Sequence, residues 1–235
     1  MRFIEDALKM GKTNFILIGE AGCGKSEIAL NLAKFFADTG DKEVHLFDMD
    51  MTKPLFRSRD MLDSQELAGI NFHFEEQFYD APTVAGGVRA LLHDHDSIVV
   101  MDVGGDDIGA RSIGGFMMGT DKSKLCVMYV LNYYRPFCQD IDHIDQFLSE
   151  ILAVSRLTLD DIHFVDNPNA GITTTLEEVV SGSEKMHELI SQYRPIEMTC
   201  VGEDVAGEFS KKTEQANSRS IMPIHLYLTY EWLKN

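Results

Sequence analysis

Residues 19–26 read Gly19-Glu20-Ala21-Gly22-Cys23-Gly24-Lys25-Ser26, a complete match to the phosphate-binding loop pattern G-x-x-x-x-G-K-[ST]. The apolar run Asn14–Ile18 before it has the length of a strand, and residues 27–36 after it place apolar side chains at helical spacing. A strand, a glycine-rich turn and a helix start together form an anion site, because backbone N–H groups and the positive end of the helix dipole face the same point. This stretch predicts a nucleotide-binding protein.

The residue types in this stretch have distinct expected roles. Lys25 is expected to reach the outer phosphates and assist catalysis, and the Ser26 hydroxyl is expected to hold Mg²⁺. The residues expected to contact the nucleotide within the loop and the first helical turn are Gly19, Ala21, Gly22, Cys23, Gly24, Lys25, Ser26 and Glu27.

Strand-like apolar runs alternate with helical patterns along the chain. Strands are predicted over 13–18, 43–48, 97–102, 124–131, 162–166 and 196–201, with a candidate edge strand at 70–74. Helices are predicted over 24–39, 82–93, 107–118, 139–155 and 174–193, and a last candidate helix covers 224–233. Nearly continuous apolar strands that alternate with helices predict an α/β fold. We expect a single three-layer domain over residues 1–235, with a mostly parallel sheet and helices on both faces.

Composition argues against two classes of partner. The chain has 38 acidic and 21 basic residues, a net charge of −17, and no basic cluster longer than Lys211-Lys212. Nucleic acids and anionic membranes both require clustered Lys and Arg, so we expect neither as a partner. No apolar run approaches the length of a membrane span, and the N-terminal residues lack the pattern of a signal peptide. The expected compartment is the cytoplasm.

The four cysteines, Cys23, Cys126, Cys138 and Cys200, form no C-x-x-C pair. Their spacing therefore indicates neither a zinc site nor an iron–sulfur cluster. Cys126 and Cys200 lie in apolar runs and are expected in the core. Cys23 lies inside the loop, where a tolerated small side chain and a redox group are both open interpretations.

Carboxylates at the ends of predicted strands are candidate Mg²⁺ ligands, because ligands of open parallel sheets bind at the carboxyl ends of the strands. Asp102 ends one strand and is followed by Val103-Gly104-Gly105, so it is expected to hold Mg²⁺ through water while the glycine N–H groups sense the terminal phosphate. Asp48 and Asp50 end another strand. One is expected to support the Mg²⁺ shell and the other to position or deprotonate water, although a solvated acidic turn gives the same pattern.

The chain resembles the MinD/ParA group of P-loop ATPases, within the wider class that includes signal-recognition GTPases. The matching segments occur in the order of that group: the loop 19–26, Asp48-Met49-Asp50 as its D-x-D, Asp102-Val103-Gly104-Gly105 as its Walker-B segment, Asn167 after a strand, and Val201-Gly202-Glu203-Asp204 after the last strand. The resemblance implies that Asp50 is the hydrolytic carboxylate, that Asp48 and Asp102 belong to the metal shell, and that Asn167 contacts adenine.

One position of the loop departs from this group. The group carries a lysine at the second loop position, which crosses to the partner subunit in an ATP-sandwiched dimer, and this chain has Glu20 there. A carboxylate so close to a triphosphate is repelled by it. We therefore expect that ATP alone does not drive a homodimer, and that Glu20 turns outward to solvent or to a cation of a partner.

The expected cofactors are ATP and Mg²⁺. The guanine-reading pattern [NT]-K-x-D is absent, and the nearest feature, Asn167-Pro168-Asn169-Ala170, offers amide groups that suit adenine. The same Asn-Pro pair is also an ordinary way to begin a turn.

Three functions remain open at this level. The first is an Mg²⁺-dependent ATPase that switches a surface for an unidentified protein partner. The second is a kinase in which residues 51–81 form an acceptor pocket and Asp50 deprotonates a hydroxyl. The third is a nucleotide-binding scaffold with negligible turnover.

Overall fold

The computed structural model describes residues 1–49, 64–74, 82–105, 115, 119–155, 157–213 and 219–229. Within these ranges the strands are β1 (Asn14–Ile18), β2 (Glu43–Met49), β3 (Ile70–Phe74), β4 (Ser97–Val103), β5 (Leu125–Leu131), β6 (Ile162–Asp166), β7 (Ile196–Gly202) and β8 (Ser220–Ile224). The α-helices are α1 (Arg2–Lys9), α2 (Lys25–Thr39), α3 (Pro82–His93), α4 (Ile141–Ser155), α5 (Leu176–Ile190) and α6 (Glu203–Thr213).

The eight strands form one sheet in the order β3-β2-β4-β1-β5-β6-β7-β8, and every neighbouring pair is parallel. Strands β1, β4 and β5 lie centrally and are buried along their whole length. Burial of successive residues requires cover on both faces, because side chains of a strand alternate between the two. The predicted α/β fold is confirmed.

Strand β1 lies between β4 and β5, and this placement positions the loop 19–26 that leaves its carboxyl end. Asp102 is near the end of the adjacent β4, in register with Asp48 of β2. The carboxyl ends of parallel strands meet at one edge of a sheet. The loop and both carboxylates therefore share that edge.

The predicted strands agree with the structure to within one residue at each end, and the candidate edge strand is β3, at one edge of the sheet. Three elements, α1, α6 and β8, were not predicted from the pattern. The predicted helix over 107–118 falls almost wholly outside the described residues.

The prediction of a helix over 224–233 is wrong in its described part. Ile224 ends β8, and residues 225–229 are not helical. The backbone of this segment bonds instead to α2: Asn31 exchanges two hydrogen bonds with the backbone of His225, and the Glu27 carboxylate accepts from the N–H groups of Tyr227 and Leu228. These contacts replace the backbone bonds that a helix would make. Burial raises the pKa of Glu27 to about 7, and the two N–H donors partly offset that rise.

Among the described ranges, we find no helix that combines the length and the apolar character needed to cross a bilayer.

The pH dependence of stability is expected to depend on Asp166, which ends β6. Burial raises the pKa of its carboxyl from the ordinary 3.8 to about 7, and Ser183 and Arg219 oppose the shift. The folded state therefore keeps a proton that the unfolded chain releases. The stabilising contribution of this carboxyl is complete below about pH 4 and is lost as the pH rises to about 7.

Replacement of Asp166 by Asn should remove this dependence. Relative to Asp166→Asn, the free energy of unfolding of the wild type should fall by about 1.4 kcal/mol per pH unit between about pH 4 and pH 7. Urea unfolding across that range measures the difference, and Asp41→Asn, at an exposed position, is the control. Parallel pH profiles for wild type and Asp166→Asn would contradict the assignment.

Candidate functional site

The loop between β1 and α2 wraps around the side chain of Lys25. Its Nζ donates hydrogen bonds to the carbonyl oxygens of Gly19 and Glu20, both at 2.9 Å, and the residue is only 1% exposed. Because C=O and N–H point in opposite directions across a trans peptide, inward carbonyls turn the next N–H groups outward. The loop thus presents N–H groups on its outer side, which is the arrangement that an anion requires.

Ser26 and Asp102 meet at the start of α2. The Ser26 hydroxyl donates to the carboxylate of Asp102, which is fully buried, and Asp48 lies beside Asp102 in strand register and is also buried. These oxygen groups are the kind that Mg²⁺ binds. Within the described part of the chain no three His, Cys, Asp or Glu side chains gather closely enough to hold a metal ion by themselves. The residues fit an ion that takes its remaining ligands from water and phosphate. Asp50 lies outside the described residues.

Asn167, which directly follows β6, contacts the loop across β5. Its Nδ2 donates to the carbonyl oxygen of Cys23 at 2.7 Å. Gly24 caps α2 with φ of 94°, and a Cβ there would lie 2.2 Å from the same Nδ2. Both the positive φ and the close approach require glycine at this position. The structure therefore gives Asn167 a contact with the loop, and its predicted contact with adenine stays a prediction.

A cleft opens beside Asn167, between the carboxyl ends of β6 and β7. Its lining includes Pro168, Asn169, Gly202 and Asp204. The segment after β6 is stiffened by Thr174, whose Oγ1 bonds to Asn169 and accepts from the N–H of Gly171. Residues that directly follow Asn167 and residues of the segment Val201-Gly202-Glu203-Asp204 thus line one cleft.

The prediction that Glu20 turns outward is wrong. Glu20 is only 7% exposed, and its Oε1 lies 3.1 Å from Nε2 of His143 on α4. The ring of Phe137 stacks on His143 with centroids 4.9 Å apart. An internal partner holds this carboxylate because the chain between β5 and α4 folds back over the loop.

Two further residues of that segment touch the loop. Arg135 Nε donates to the carbonyl oxygen of Gly22 at 2.8 Å, and Cys138 Sγ lies 3.3 Å from Cys23 Sγ. The sequence pattern did not predict these contacts or that of His143, because no motif links positions more than a hundred residues apart. The only available signal was the place of Arg135 shortly after a strand.

Gly105 packs directly on the loop from the end of the Asp102-Val103-Gly104-Gly105 segment. A Cβ at Gly105 would lie 2.4 Å from the backbone nitrogen of Ala21 and 2.7 Å from the carbonyl carbon of Glu20. Real Cβ atoms do not approach backbone this closely. The segment after β4 and the loop are therefore in backbone contact.

Comparison with solved structures identifies the fold. A nucleotide-binding protein from Archaeoglobus fulgidus in complex with ADP is similar with a TM-score of 0.50 and 21% identity, over 83% of each chain. FtsY from Thermotoga maritima (TM-score 0.47, 17% identity) covers 82% of this chain, and FlhF with GTP and Mg²⁺ (TM-score 0.49, 15% identity) also covers 82%. This chain spans 62% of that FtsY chain and 70% of that FlhF chain. No family model and no curated protein sequence matches this chain.

The chain thus has the P-loop NTPase fold. The narrower assignment to the MinD/ParA branch is not supported by these comparisons. At these identities the likeness concerns the fold alone. It does not identify the nucleotide.

Close packing at Gly105 gives a stability prediction. Gly105→Ala should lower the free energy of unfolding by about 1 to 3 kcal/mol, because the added methyl group forces the loop backbone away. Gly207→Ala is the matched control: Gly207 lies in α6 with nothing within 4 Å of a Cβ, so it should gain about 0.5 to 1 kcal/mol. Denaturant unfolding of the three proteins measures both changes. Equal free energies of unfolding for Gly105→Ala and wild type would contradict the prediction and show that the loop backbone moves away from the added methyl group at no cost.

Proposed function

We propose that this protein binds ATP with Mg²⁺, hydrolyses it, and uses the change at the terminal phosphate to switch a surface for a protein partner. The observation that carries the proposal is the arrangement of the loop: Lys25 Nζ is 2.9 Å from two loop carbonyl oxygens, and Ser26 contacts Asp102 at the start of α2. This arrangement combines an outward row of N–H groups, a cation and a buried carboxylate, which are the parts a Mg²⁺–triphosphate needs.

Each part of the loop has a specific task in this proposal. The N–H groups at the start of α2 are proposed to receive the α- and β-phosphates, at the positive end of the helix dipole. The two carbonyl contacts hold the side chain of Lys25 in one rotamer, and its ammonium group is proposed to face the outer phosphates. Ser26 supplies a hydroxyl ligand, and Asp102 and Asp48 orient the water shell. Mg²⁺ held near Ser26, Asp102 and Asp48 would supply positive charge against the negative charge that develops during hydrolysis.

The base is proposed to lie beside Asn167, where the neighbouring cleft has a volume of about 20 Å³ and must widen to admit a purine. With one hydrogen of its amide given to Cys23, Asn167 keeps a second donor hydrogen and a carbonyl oxygen, and these match N7 and the exocyclic amine of adenine. Asp204 is the carboxylate among the described residues that line this cleft. A guanine would use such a carboxylate for its N–H groups, so Asp204 is the residue that tests the choice of ATP over GTP.

Coupling to a partner is proposed to begin at Gly105. A γ-phosphate placed on the outer side of Glu20 and Ala21 lies next to the backbone that Gly105 touches. Gain or loss of that phosphate alters the contact between the loop and the segment after β4, as in other nucleotide-dependent switches. The likeness to chains that bind ADP or GTP with Mg²⁺ supports a nucleotide switch of this general kind.

The partner is proposed to be another protein and not a second copy held by ATP alone. Glu20 occupies the position from which a lysine would cross to a partner's phosphates, and His143 retains its carboxylate within the chain. The contact with His143 keeps the Glu20 carboxylate inside this chain, and position 20 offers no cation to a second subunit.

The nucleotide assignment is tested by calorimetry with ATP and GTP, with Mg²⁺ or with EDTA. Lys25→Ala should weaken Mg²⁺–ATP binding roughly 10- to 100-fold, the range for lost hydrogen bonds to a charged group. Lys34→Ala, on the same helix and paired with Asp38, is the matched control and should bind normally. Asp102→Asn should remove the gain in affinity from Mg²⁺ and leave binding in EDTA unchanged.

Two outcomes of this experiment contradict the proposal. Unchanged ATP affinity in Lys25→Ala, with the fold intact by circular dichroism, would contradict the phosphate site. Tighter binding of GTP than ATP, weakened selectively by Asp204→Asn, would replace ATP by GTP and leave the rest of the proposal standing.

Phosphate release distinguishes hydrolysis from the two alternatives. Turnover without any acceptor is expected, and Asp50→Asn should lower kcat about 100-fold or more while affinity stays within twofold, as for loss of a residue that acts only in the transition state. Release that requires an added hydroxyl acceptor would instead favour the kinase. Binding without release would favour the non-hydrolysing scaffold.

A further inference from the structure

Two buried cysteines meet beneath the phosphate-binding loop. Cys23 of the loop and Cys138 at the end of the 3-10 turn Pro136–Cys138 have their Sγ atoms 3.3 Å apart, and neither is in a disulfide. The two residues are 115 positions apart in sequence. Cys126 and Cys200 lie within β5 and β7 instead. The contact between Cys23 and Cys138 therefore arises only in the folded chain, and it lies at the phosphate-binding loop.

The pair is chemically asymmetric. The hydrogen bond between the two thiols is the main cause of a lowered pKa for Cys138; a backbone hydrogen bond at Asn132 supports this shift, and burial and the charge of Glu20 oppose it. The same hydrogen bond, together with burial, raises the pKa of Cys23. Cys138 is thus the more acidic thiol of the pair and the one that more readily supplies a nucleophilic thiolate. Burial raises the pKa of Cys126 and Cys200, so these two remain unreactive thiols.

Both cysteines are buried, but each directly follows exposed residues in the sequence. Ala21 and Gly22 precede Cys23 and are exposed, and Pro136 and Phe137 precede Cys138 and are exposed. A small opening of either turn admits a small oxidant. No core element has to unfold.

Three contacts join the loop to the segment that carries Cys138. Arg135 bonds to Gly22, Cys138 touches Cys23, and His143 pairs with Glu20. A displacement of the turn at Cys138 is therefore transmitted to the loop at neighbouring positions.

We propose that Cys23 and Cys138 form a reversible disulfide that draws the phosphate-binding loop toward the turn Pro136–Cys138 and weakens nucleotide binding. The second half of this inference rests on the proposed function; the first does not. The oxidant is a hydroperoxide, and the reductant that reverses the step is a dithiol.

The chemistry balances in two steps. The Cys138 thiolate attacks one oxygen of hydrogen peroxide, the O–O bond breaks, and a sulfenic acid and hydroxide form. The Cys23 sulfur then attacks the sulfenic sulfur, the S–O bond breaks, and water leaves with the proton of Cys23. The hydroxide takes up the proton that the Cys138 thiol released, so the two thiols lose two electrons and two protons in total and one peroxide becomes two waters.

The effect on the loop follows from the distance. The two sulfurs are 3.3 Å apart and a disulfide needs about 2.05 Å, so the sulfurs must approach by about 1.2 Å. Both thiols are enclosed, so the backbone takes up part of that movement. Binding groups must stay within about 0.5 Å of their productive positions, and the N–H groups next to Cys23 then miss the phosphates. By linkage, bound nucleotide must lower the equilibrium constant for disulfide formation by the same factor by which the disulfide lowers the nucleotide affinity.

The test begins with the folded full-length protein in hydrogen peroxide, followed by alkylation, proteolysis and mass spectrometry. A peptide linking Cys23 to Cys138 within one chain is expected, and dithiothreitol should remove it. Cys138→Ser should abolish the link, and Cys126→Ala, at a buried cysteine outside the pair, should retain it. Absence of the link, or a link between chains, would overturn the inference.

The second arm measures Mg²⁺–ATP affinity in both redox states. Oxidised wild type should bind Mg²⁺–ATP about tenfold more weakly than reduced wild type, which is the size of a typical coupling between two sites. Reduced Cys138→Ser should bind as reduced wild type does. Peroxide should not change the affinity of Cys138→Ser. A link that leaves the affinity unchanged would overturn the coupling to the loop. A link in a chain that binds no nucleotide in either state would support the disulfide and overturn the proposed function.

Discussion

The ammonium group of Lys25 lies inside the protein, where the carbonyl oxygens of Gly19 and Glu20 each accept a hydrogen bond from it. A buried charge is tolerated only when polar groups surround it, so the loop must keep these carbonyls turned inward. The same rotation of the peptide planes turns the following N–H groups outward. One interaction thus determines both the shape of the loop and the side of it on which an anion fits.

The sheet supplies the remaining constraint. Because β1 lies beside β4, and β4 beside β2, the loop, Asp102 and Asp48 reach the same edge without any long connection. The hydrogen bond from Ser26 to Asp102 joins the start of α2 to β4. Oxygen groups held this way are suited to a hard cation that keeps part of its water shell.

The segment from Arg135 to His143 gives this loop a second set of contacts. Arg135, Cys138 and His143 reach three of its residues, so the loop is held from α4 as well as from the sheet. Glu20, which by charge alone should avoid a phosphate site, is accommodated by His143. An acidic side chain in the loop is thereby compatible with the loop's conformation.

Local sequence determined those features that depend on neighbours in the chain. The loop 19–26, the strands at β1, β4, β5 and β6 and the helix α2 follow from glycine spacing and from apolar runs of strand or helix period. Two other elements departed from their local pattern. β8 contains Pro223, which an edge strand tolerates, and residues 225–229 lose their helical pattern to hydrogen bonds with Asn31 and Glu27.

Only the tertiary structure decided which distant side chains meet. The contacts of Glu20 with His143, Cys23 with Cys138 and Cys23 with Asn167 join positions separated by 123, 115 and 144 residues. Nothing in the local spacing of these residues encodes them, because each depends on strand order and on the path of the chain after β5. The sequence by itself therefore determined that a phosphate-binding loop exists, and the packing of the sheet and its connections decided what holds that loop in place.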